Sequence, residues 1–193
     1  VFFHYFTGLL WPHLNFLSPI RIFLSFCDRL IISVSSRVFC DSPSQETTLR
    51  HAFPSSVSKI SCIGHGSLKG VDTNLFKPSL TFRKSLRRSL SIQDSDFVVL
   101  YLGRITADKG ISSLILAHQI SFSRNSAIKL LLVGPIEDSA FSFLSHNPPP
   151  GVYYLPYSQH PHQIYPVADL FALVSKREGF GSTIIEAASC GVP

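Results

Sequence analysis

The sequence predicts an α/β protein with Rossmann-like parallel sheets. In the second half of the chain, strand-like runs alternate with helix-like stretches. One helix-like stretch covers residues 111–120, and a shorter one, interrupted by prolines, covers residues 160–167. Four such runs are predicted as strands, at residues 97–102, 128–133, 152–155 and 169–175. Strands that alternate with helices pair in parallel, and helices cover both faces of the sheet.

The composition supports a folded chain with an apolar core. Hydrophobic residues make up 45% of the 193 residues and charged residues 15%, against a usual charged share of about 25%. This balance excludes a disordered, acidic-tail or collagen-like polypeptide. The net charge of +5 and the isoelectric point near 9.2 come from charges spread along the chain. They suit an anionic small molecule or a membrane surface, and they do not indicate a nucleic-acid partner.

The cysteines are predicted to be buried thiols of a reducing compartment. No Cys-x-x-Cys pair and no well-placed histidine completes a zinc site with the four of them, Cys27, Cys40, Cys62 and Cys190. The chain has no methionine, starts at Val1 and stops at Pro193. We therefore expect it to be a piece of a longer protein.

Residues 1–26 are rich in Phe and Leu and carry a single charge, on Arg21. A transmembrane helix needs about 20 apolar residues without interruption, and Pro12, Pro19 and several polar residues break this run. A signal peptide is not predicted either, because no basic amino-terminal region or small-residue cleavage site is present. The segment is expected either in a core or lobe contact or at a membrane surface.

The alternating pattern continues between residues 38 and 70. Short strands are predicted at residues 38–40 and 59–63, with a helix between them at residues 46–53. The candidate caps of that helix are Asp41, Ser42 and Ser44. After the second strand, a flexible connection is marked by three glycines, Gly64, Gly66 and Gly70.

A cluster of basic residues and a pair of acidic ones precede the strand at residues 97–102. The basic residues lie on one side of a short helix, and they are Arg83, Lys84, Arg87 and Arg88. They form either a solvated helix face or a basic patch for acidic lipid or phosphate. Asp94 and Asp96 are expected to be turn formers rather than metal ligands.

In a parallel sheet the ligand sits outside the carboxyl ends of the strands, so the loops after the strands are the candidate site. The loop at residues 103–110 follows the first strand. Gly103 allows a sharp turn, and Gly110 opens a helix whose free amides attract an anion. Arg104 and Lys109 are suited to phosphate oxygens. Together they predict a diphosphate site.

The last loop carries two glutamates, Glu178 and Glu186, with seven residues between them. Glu178 comes just after a predicted strand, and Glu186 reaches the same crevice if the following helix starts near Gly181. Carboxylates that accept hydrogen bonds from hydroxyls suit carbohydrate and ribose binding. Gly179 and Gly181 allow backbone amides to approach a sugar or phosphate closely.

Taken together, these segments resemble the retaining nucleotide-sugar glycosyltransferases of family 4, which are also called group 1 glycosyltransferases. Within that family, they resemble the bacterial members that build polysaccharides. The donor-side motifs are YLGRITADKGI (101–111), LLLVGPIED (130–138) and ADLFALVSKREGFGSTIIEAASCGVP (168–193). Earlier in the chain the resemblance is carried by HYFTGLLWP (4–12), CDSPSQ (40–45) and KISCIGHGSLKGVDTNLFKP (59–78). The combination of the Arg/Lys loop with Glu-Gly-Phe-Gly…Glu is specific, and the resemblance covers nearly the whole chain.

The resemblance implies the GT-B architecture of two facing Rossmann-like lobes. Residues 1–68 correspond to the carboxyl-terminal part of the acceptor lobe and the crossover. Residues 69–193 correspond to a nucleotide-sugar-binding donor lobe that lacks its carboxyl-terminal end.

The resemblance also implies a role for each site residue. Arg104 and Lys109 neutralise the leaving diphosphate, and Glu178 contacts the transferred sugar, either as nucleophile or as an orienting group. Together these three are the implied catalytic residues. The implied donor-binding residues are Gly103, Gly179, Phe180, Gly181 and Glu186, the last of which binds the ribose hydroxyls.

The implied reaction transfers a hexosyl group from a UDP- or GDP-sugar, with retention of configuration, to a surface glycan or a lipid-linked sugar. No cofactor and no metal ion are expected, because the basic residues and a helix N-terminus can stabilise the diphosphate. The implied location is the cytoplasm, at the inner face of the plasma membrane with peripheral membrane contact. No nucleic-acid partner is implied.

Two alternatives remain at this stage. One is a truncated, inactive fragment that only binds nucleotide sugars; since most of an acceptor lobe is missing, the 193-residue chain itself is expected to be inactive or nearly so. The other is a nucleotide-sugar epimerase of the same two-lobe architecture. The epimerase is disfavoured because it lacks the combination of Arg104 and Lys109 with Glu178 and Glu186.

Overall fold

Short apolar segments separated by glycine- and proline-rich turns fold into two parallel sheets. The computed structural model describes residues 1–7, 9, 11–67, 70–176 and 178–193. Gly8 and Leu10 of the first motif, Leu68 and Lys69 of the predicted glycine loop, and Arg177 lie outside the described residues. The strands are β1 (Phe3–Phe6), β2 (Arg37–Cys40), β3 (Ile60–Cys62), β4 (Phe97–Leu102), β5 (Ile128–Val133), β6 (Val152–Leu155) and β7 (Leu170–Phe171).

The described residues form five α-helices, which lie between and after these strands. They are α1 (Pro19–Val34), α2 (Pro43–Ala52), α3 (Leu80–Ser89), α4 (Ile111–Arg124) and α5 (Ser182–Ser189). Ser42 caps α2, since its side chain accepts a hydrogen bond from the backbone N–H of Gln45 at 3.3 Å. This result confirms one of the three candidate caps.

The chain divides into two compact units. The first comprises Val1–Gly70 and Glu178–Gly181, and the second comprises Val71–Arg177 and Ser182–Pro193. A three-stranded sheet of order β1-β2-β3 belongs to the first unit, and a four-stranded sheet of order β6-β5-β4-β7 belongs to the second. Every strand pair in both sheets is parallel. The predicted class, α/β with parallel sheets, is therefore correct.

Both faces of the second sheet are buried. Val98 and Leu100 of β4 belong to one apolar cluster, which also contains Ala187 of α5. Tyr101 of β4 belongs to a second cluster with Ile111 and Leu114 of α4. Successive strand residues point to opposite faces, and each face meets its own core. β4 is therefore apolar throughout, and β5 is apolar apart from Lys129.

The last predicted strand and the helix before it differ from expectation. Only Leu170 and Phe171 pair with β4, so the strand predicted at residues 169–175 is two residues long. The stretch at residues 160–167 forms two short 3-10 helices rather than an α-helix. Pro161 and Pro166 explain this difference, because a proline removes a backbone donor and limits helix continuation.

The basic cluster on α3 is divided between an exposed half and a half that pairs within the protein. Arg87 is 1% exposed, and its guanidinium lies 2.6 Å from Asp169 Oδ2. Arg83 pairs with Asp169 Oδ1, also at 2.6 Å, and donates to backbone carbonyls before β7. Half of the cluster therefore attaches α3 to the sheet, whereas Lys84 and Arg88 are exposed.

The apolar residues of the first 34 positions are divided between the core and the surface. Phe6 and Trp11 are buried in the core of the first unit. Several large side chains next to or on α1 are exposed instead, namely Phe16, Leu17, Ile20, Ile22, Phe23, Phe26, Leu30 and Val34. Within the part of the chain that the structure describes, no helix is long and apolar enough to cross a membrane.

Candidate donor site

The candidate site is built on the loops that follow the parallel strands. In the second unit, Gly103 and Arg104 leave the end of β4, and residues 107–109 form one 3-10 turn before α4. The Gly103 backbone N–H donates to Val133 at the end of β5, at 2.9 Å. This bond keeps the start of the loop against the neighbouring strand.

Arg104 is held at its backbone and paired at its side chain. The Tyr101 hydroxyl donates to the Arg104 carbonyl oxygen at 2.7 Å. The Arg104 guanidinium is exposed and lies 3.0 Å from the Glu137 carboxylate, which follows β5. The hydrogen bond and the charge of Glu137 raise the pKa of Arg104, so the guanidinium stays charged. The strand ends thus present a fixed positive charge to solvent.

The turn that carries Lys109 is fixed by an internal hydrogen bond and by the next segment. The Thr106 hydroxyl donates to Asp108 at 2.6 Å, and this bond, assisted by Lys109, lowers the pKa of Asp108. Gly110 has φ of +73°, and a Cβ there would lie 2.3 Å from the Val174 carbonyl oxygen. Only glycine therefore allows the turn to approach the segment after β7 this closely.

Glu186 lies on the first turns of α5, which begins at Ser182, directly after Gly181. From the sequence, Glu186 is expected to reach the crevice at the strand ends if the helix starts near Gly181, and α5 does start there. The buried Tyr165 hydroxyl donates to Glu186 Oε2 at 2.7 Å. Burial, followed by Glu186, raises the pKa of Tyr165, so the phenol remains a donor. A carboxylate accepts several hydrogen bonds, which leaves capacity for ligand hydroxyls.

The Glu178–Gly181 segment lies in the first unit. Glu178 is exposed, and Gly179 and Phe180 are partly buried. A Cβ on Gly179 would lie 2.3 Å from the carbonyl oxygen of Thr7 and 2.9 Å from the Asp41 carboxylate. The segment therefore approaches the carboxyl ends of β1 and β2 at a distance that only glycine permits.

The structure thus brings Gly103, Arg104 and Lys109 onto one loop of the second unit. Glu186 follows the neighbouring strand in the same unit, whereas the remaining predicted site residues, Glu178, Gly179, Phe180 and Gly181, lie in the first unit. No group of three or more His, Cys, Asp or Glu side chains suited to a metal ion occurs among the described residues.

Sequence reasoning missed two partners of the predicted residues. Glu137, which pairs with Arg104, lies in a quoted motif, and its place after β5 was the available signal. Tyr165, which holds Glu186, lies 21 positions away in the proline-interrupted helix-like stretch at residues 160–167. No local pattern connects those two residues.

The second unit also contains an open groove. The residues after β6 and one side of α3 line this groove of about 590 Å³, which contains Tyr157, His160 and Phe82. Its floor includes Leu155, the last residue of β6.

Comparisons with known proteins show the family to which the chain belongs. Residues 82–193 match the family described as "Glycosyl transferases group 1". The capsular polysaccharide biosynthesis glycosyltransferase CapM of Staphylococcus aureus is 33% identical over 142 residues, which cover 70% of this chain and 36% of CapM. The chain thus spans about a third of the length of this curated relative.

Solved structures show the same fold. HepE of Anabaena in complex with UDP matches with a TM-score of 0.78 at 24% identity, over 99% of this chain and 51% of HepE. HepE with UDP-glucose matches with a TM-score of 0.70 at 25% identity, over 93% of this chain and 50% of HepE. The lipopolysaccharide glycosyltransferase WaaG matches with a TM-score of 0.79 at 16% identity, over 99% of this chain and 55% of WaaG.

The two parallel sheets, together with the matches to HepE and WaaG, assign the fold to the GT-B class. The chain belongs to the group 1 glycosyltransferases. The predicted group 1 family and the predicted fold are therefore confirmed, and the family match is to transferases rather than to the epimerases considered as an alternative.

Proposed function

We propose that this chain is the donor-binding part of a retaining family 4 glycosyltransferase, which transfers a hexosyl group from a UDP- or GDP-sugar. The observation that carries the proposal is the loop after β4, where Arg104 and Lys109 precede the N-terminus of α4. Two cations and the free amides of a helix start suit a diphosphate. HepE, bound to UDP and to UDP-glucose in its structures, supports a uridine nucleotide.

The ion pair between Arg104 and Glu137 is compatible with this role. Both side chains are about half exposed, 55% and 45% respectively, and an exposed pair contributes only about 0–1 kcal/mol. An incoming diphosphate therefore displaces Glu137 at little energetic cost. The guanidinium then makes two parallel hydrogen bonds to phosphate oxygens.

The mechanism follows from where charge develops. Cleavage of the bond between sugar C1 and the diphosphate oxygen leaves positive charge on the ring and negative charge on the leaving group. Arg104 and Lys109 stabilise that negative charge without a metal ion, each by about 2.7–4 kcal/mol if it acts like an oxyanion-hole donor. Glu178 orients the transferred sugar, and Glu186 binds the ribose. The acceptor attacks from the side of the leaving group, which gives retention.

We assign residues 1–68 to the end of the acceptor lobe and residues 69–193 to the donor lobe. The boundary between the two compact units after Gly70 supports this division, whereas Glu178–Gly181 group with the first unit. The acceptor is proposed to be a surface glycan or a lipid-linked sugar, since CapM acts in capsular polysaccharide biosynthesis. The 193-residue chain alone is proposed to bind its donor without transferring the sugar. Sugar transfer by the purified chain would contradict this part of the proposal.

We also propose a peripheral contact with the cytoplasmic face of the plasma membrane through the exposed apolar side of α1. Phe23 is 64% exposed and Phe26 56% exposed, and an apolar helix face can enter the interface of a bilayer. Flotation with vesicles that contain anionic lipid tests the contact. Binding that is lost on F23S/F26S but kept on L116S, at an exposed leucine of α4, supports it. Equal flotation of the two variants contradicts it.

Isothermal titration of the chain with UDP- and GDP-sugars tests donor binding. We expect the wild-type chain to bind at least one of them, and R104A to bind at least tenfold more weakly, which corresponds to about 1.4 kcal/mol. R124A is the matched control, because Arg124 is an exposed arginine in the last turn of α4. Equal affinities of R104A and R124A would refute the proposed diphosphate site.

A further inference from the structure

Two cysteines lie side by side at the carboxyl ends of neighbouring strands. Cys40 is the last residue of β2, Cys62 is the last residue of β3, and the two are direct partners in the parallel register. Neighbouring strands lie about 4.8 Å apart. That spacing falls within the range of about 4.4–6.8 Å between the Cα atoms of disulfide-bonded cysteines.

The two side chains share one face of the sheet. Residues in register on parallel strands point to the same side, and Val38 and Cys40 of β2 both belong to the core of the first unit, together with Ile60 of β3. Cys62, two residues after Ile60, points to that same face. Both cysteines are free thiols.

The thiols differ in their access to solvent. Cys40 is 1% exposed, whereas Cys62 is partly exposed. Burial, followed by the charge of Glu46 and the nearby Cys62, raises the pKa of Cys40 to about 12. Burial, followed by Glu46 and Asp41, also raises the pKa of Cys62. Both thiols are therefore protonated at neutral pH and react slowly, and reaction begins at the accessible Cys62.

We propose that Cys40 and Cys62 form an intramolecular disulfide when the chain meets a peroxide. The Cys62 thiolate attacks one peroxide oxygen, the O–O bond breaks, and a sulfenic acid and hydroxide are formed. The Cys40 sulfur then attacks the sulfenic sulfur, and the S–O bond breaks. The thiol proton leaves with the hydroxyl group as water. In sum, two thiols lose two electrons and the peroxide is reduced to two waters.

The bond would join two segments of the first unit. Cys40 precedes Asp41, whose carbonyl oxygen accepts a hydrogen bond from the Ser67 N–H at 3.2 Å. Cys62 precedes the turn in which the Gly66 N–H donates to Ile63. The disulfide would therefore constrain the start of the glycine loop against the end of β2. This inference is independent of the proposed donor site.

Peptide mapping after oxidation tests the proposal. The reduced chain is treated with hydrogen peroxide, its remaining thiols are alkylated, and it is digested with trypsin without reduction. Trypsin places the two cysteines in different peptides, residues 38–50 and 60–69. We expect these two peptides to be linked within a monomeric chain, with Cys27 and Cys190 recovered as alkylated thiols.

Two variants make the outcome specific. C62S, at the partly exposed position, is expected to lose the linked peptide and to leave Cys40 alkylated, with an unchanged circular dichroism spectrum. C190S, the matched control in the second unit, is expected to keep the link. If wild-type Cys40 and Cys62 are recovered unlinked, overoxidised, or linked only between two chains, the proposal is overturned.

Discussion

At the scale of single residues, the proposed donor site depends on which anion neutralises the charge of Arg104. In the ligand-free chain, that charge is the Glu137 carboxylate, 3.0 Å away. In the proposed complex, it is the donor diphosphate. The two anions compete for one guanidinium, so the role of Arg104 can be tested without changing Arg104 itself.

The variant E137Q keeps the shape of the side chain and removes its charge. We expect E137Q to bind UDP about two- to fivefold more tightly than the wild type, because an exposed ion pair of up to about 1 kcal/mol no longer has to be broken. Isothermal titration measures the change. The control is D138N at the neighbouring position, where the carboxylate instead caps the next turn. Unchanged or weaker binding by E137Q would show that Glu137 does not compete with the ligand.

At the scale of elements, the loop after β4 keeps its shape because Gly110 approaches the segment after β7. Both Gly110 and Gly64 have left-handed backbones, with φ of +73° and +57°. A Cβ on Gly110 would lie 2.3 Å from the Val174 carbonyl oxygen, whereas nothing lies within 4 Å of a Cβ on Gly64. A side chain at either position therefore has the conformational cost of a left-handed backbone. Of these two positions, only at Gly110 does a side chain also clash with another part of the chain.

G64A and G110A form a matched pair for this reason. We expect G64A to lower the free energy of unfolding by about 1–2 kcal/mol, the cost of a left-handed non-glycine residue. G110A should cost clearly more and should also weaken UDP binding, because it displaces the turn with Lys109. Urea denaturation measures the difference. Equal losses in the two variants would show that the approach to Val174 does not determine the stability of the loop.

The attachment of α3 to the sheet depends on Asp169. Burial on its own would raise the pKa of this carboxyl group, but the Val98 N–H and the guanidinium groups of Arg83 and Arg87 outweigh burial, and the pKa is lowered. A lowered pKa in the folded chain stabilises the fold above the unfolded value of about 3.9. That stabilisation is lost as the pH falls through the lower, folded-state pKa.

We expect D169N to lower the free energy of unfolding at pH 7 by about 3 kcal/mol, because it leaves the buried Arg87 without its counter-charge. Stability curves between pH 7 and pH 2 should then differ in slope. The wild type should lose stability below about pH 4, and D169N should lose less over the same range. D94N, in the exposed turn before β4, is the control. Parallel curves for wild type and D169N would contradict this account of Asp169.

At the scale of the whole molecule, sequence patterns predicted the strands of the second sheet better than the side-chain contacts that join distant segments to it. The bounds of β4, β5 and β6 agree with the predicted runs because each run is apolar, apart from Lys129 in β5, and is followed by a glycine or a proline. The strand predicted at residues 169–175 was too long, because only Leu170 and Phe171 find partners on β4. Residues beyond them are apolar for another reason, since Ala172 and Leu173 pack against the core beside α4.

The side-chain network was less predictable. The spacing of Arg83 and Arg87 places both on one side of α3 but does not reveal that this side faces Asp169, more than 80 positions later. Likewise, the parallel topology places Arg104 and Lys109 at a ligand edge, whereas the pairing of Arg104 with Glu137 depends on the neighbouring strand. Contacts between distant segments are set by tertiary packing, which a single sequence does not encode locally.

The central claim is that a nucleoside diphosphate binds at the carboxyl end of β4, and a crystal structure of the chain with UDP, grown without divalent metal, tests it most directly. The account predicts phosphate oxygens about 2.7–3.2 Å from the Arg104 guanidinium and the Lys109 ammonium, with Glu137 displaced from Arg104. UDP bound with its diphosphate away from both residues, and with the pair of Arg104 and Glu137 intact, would contradict the account.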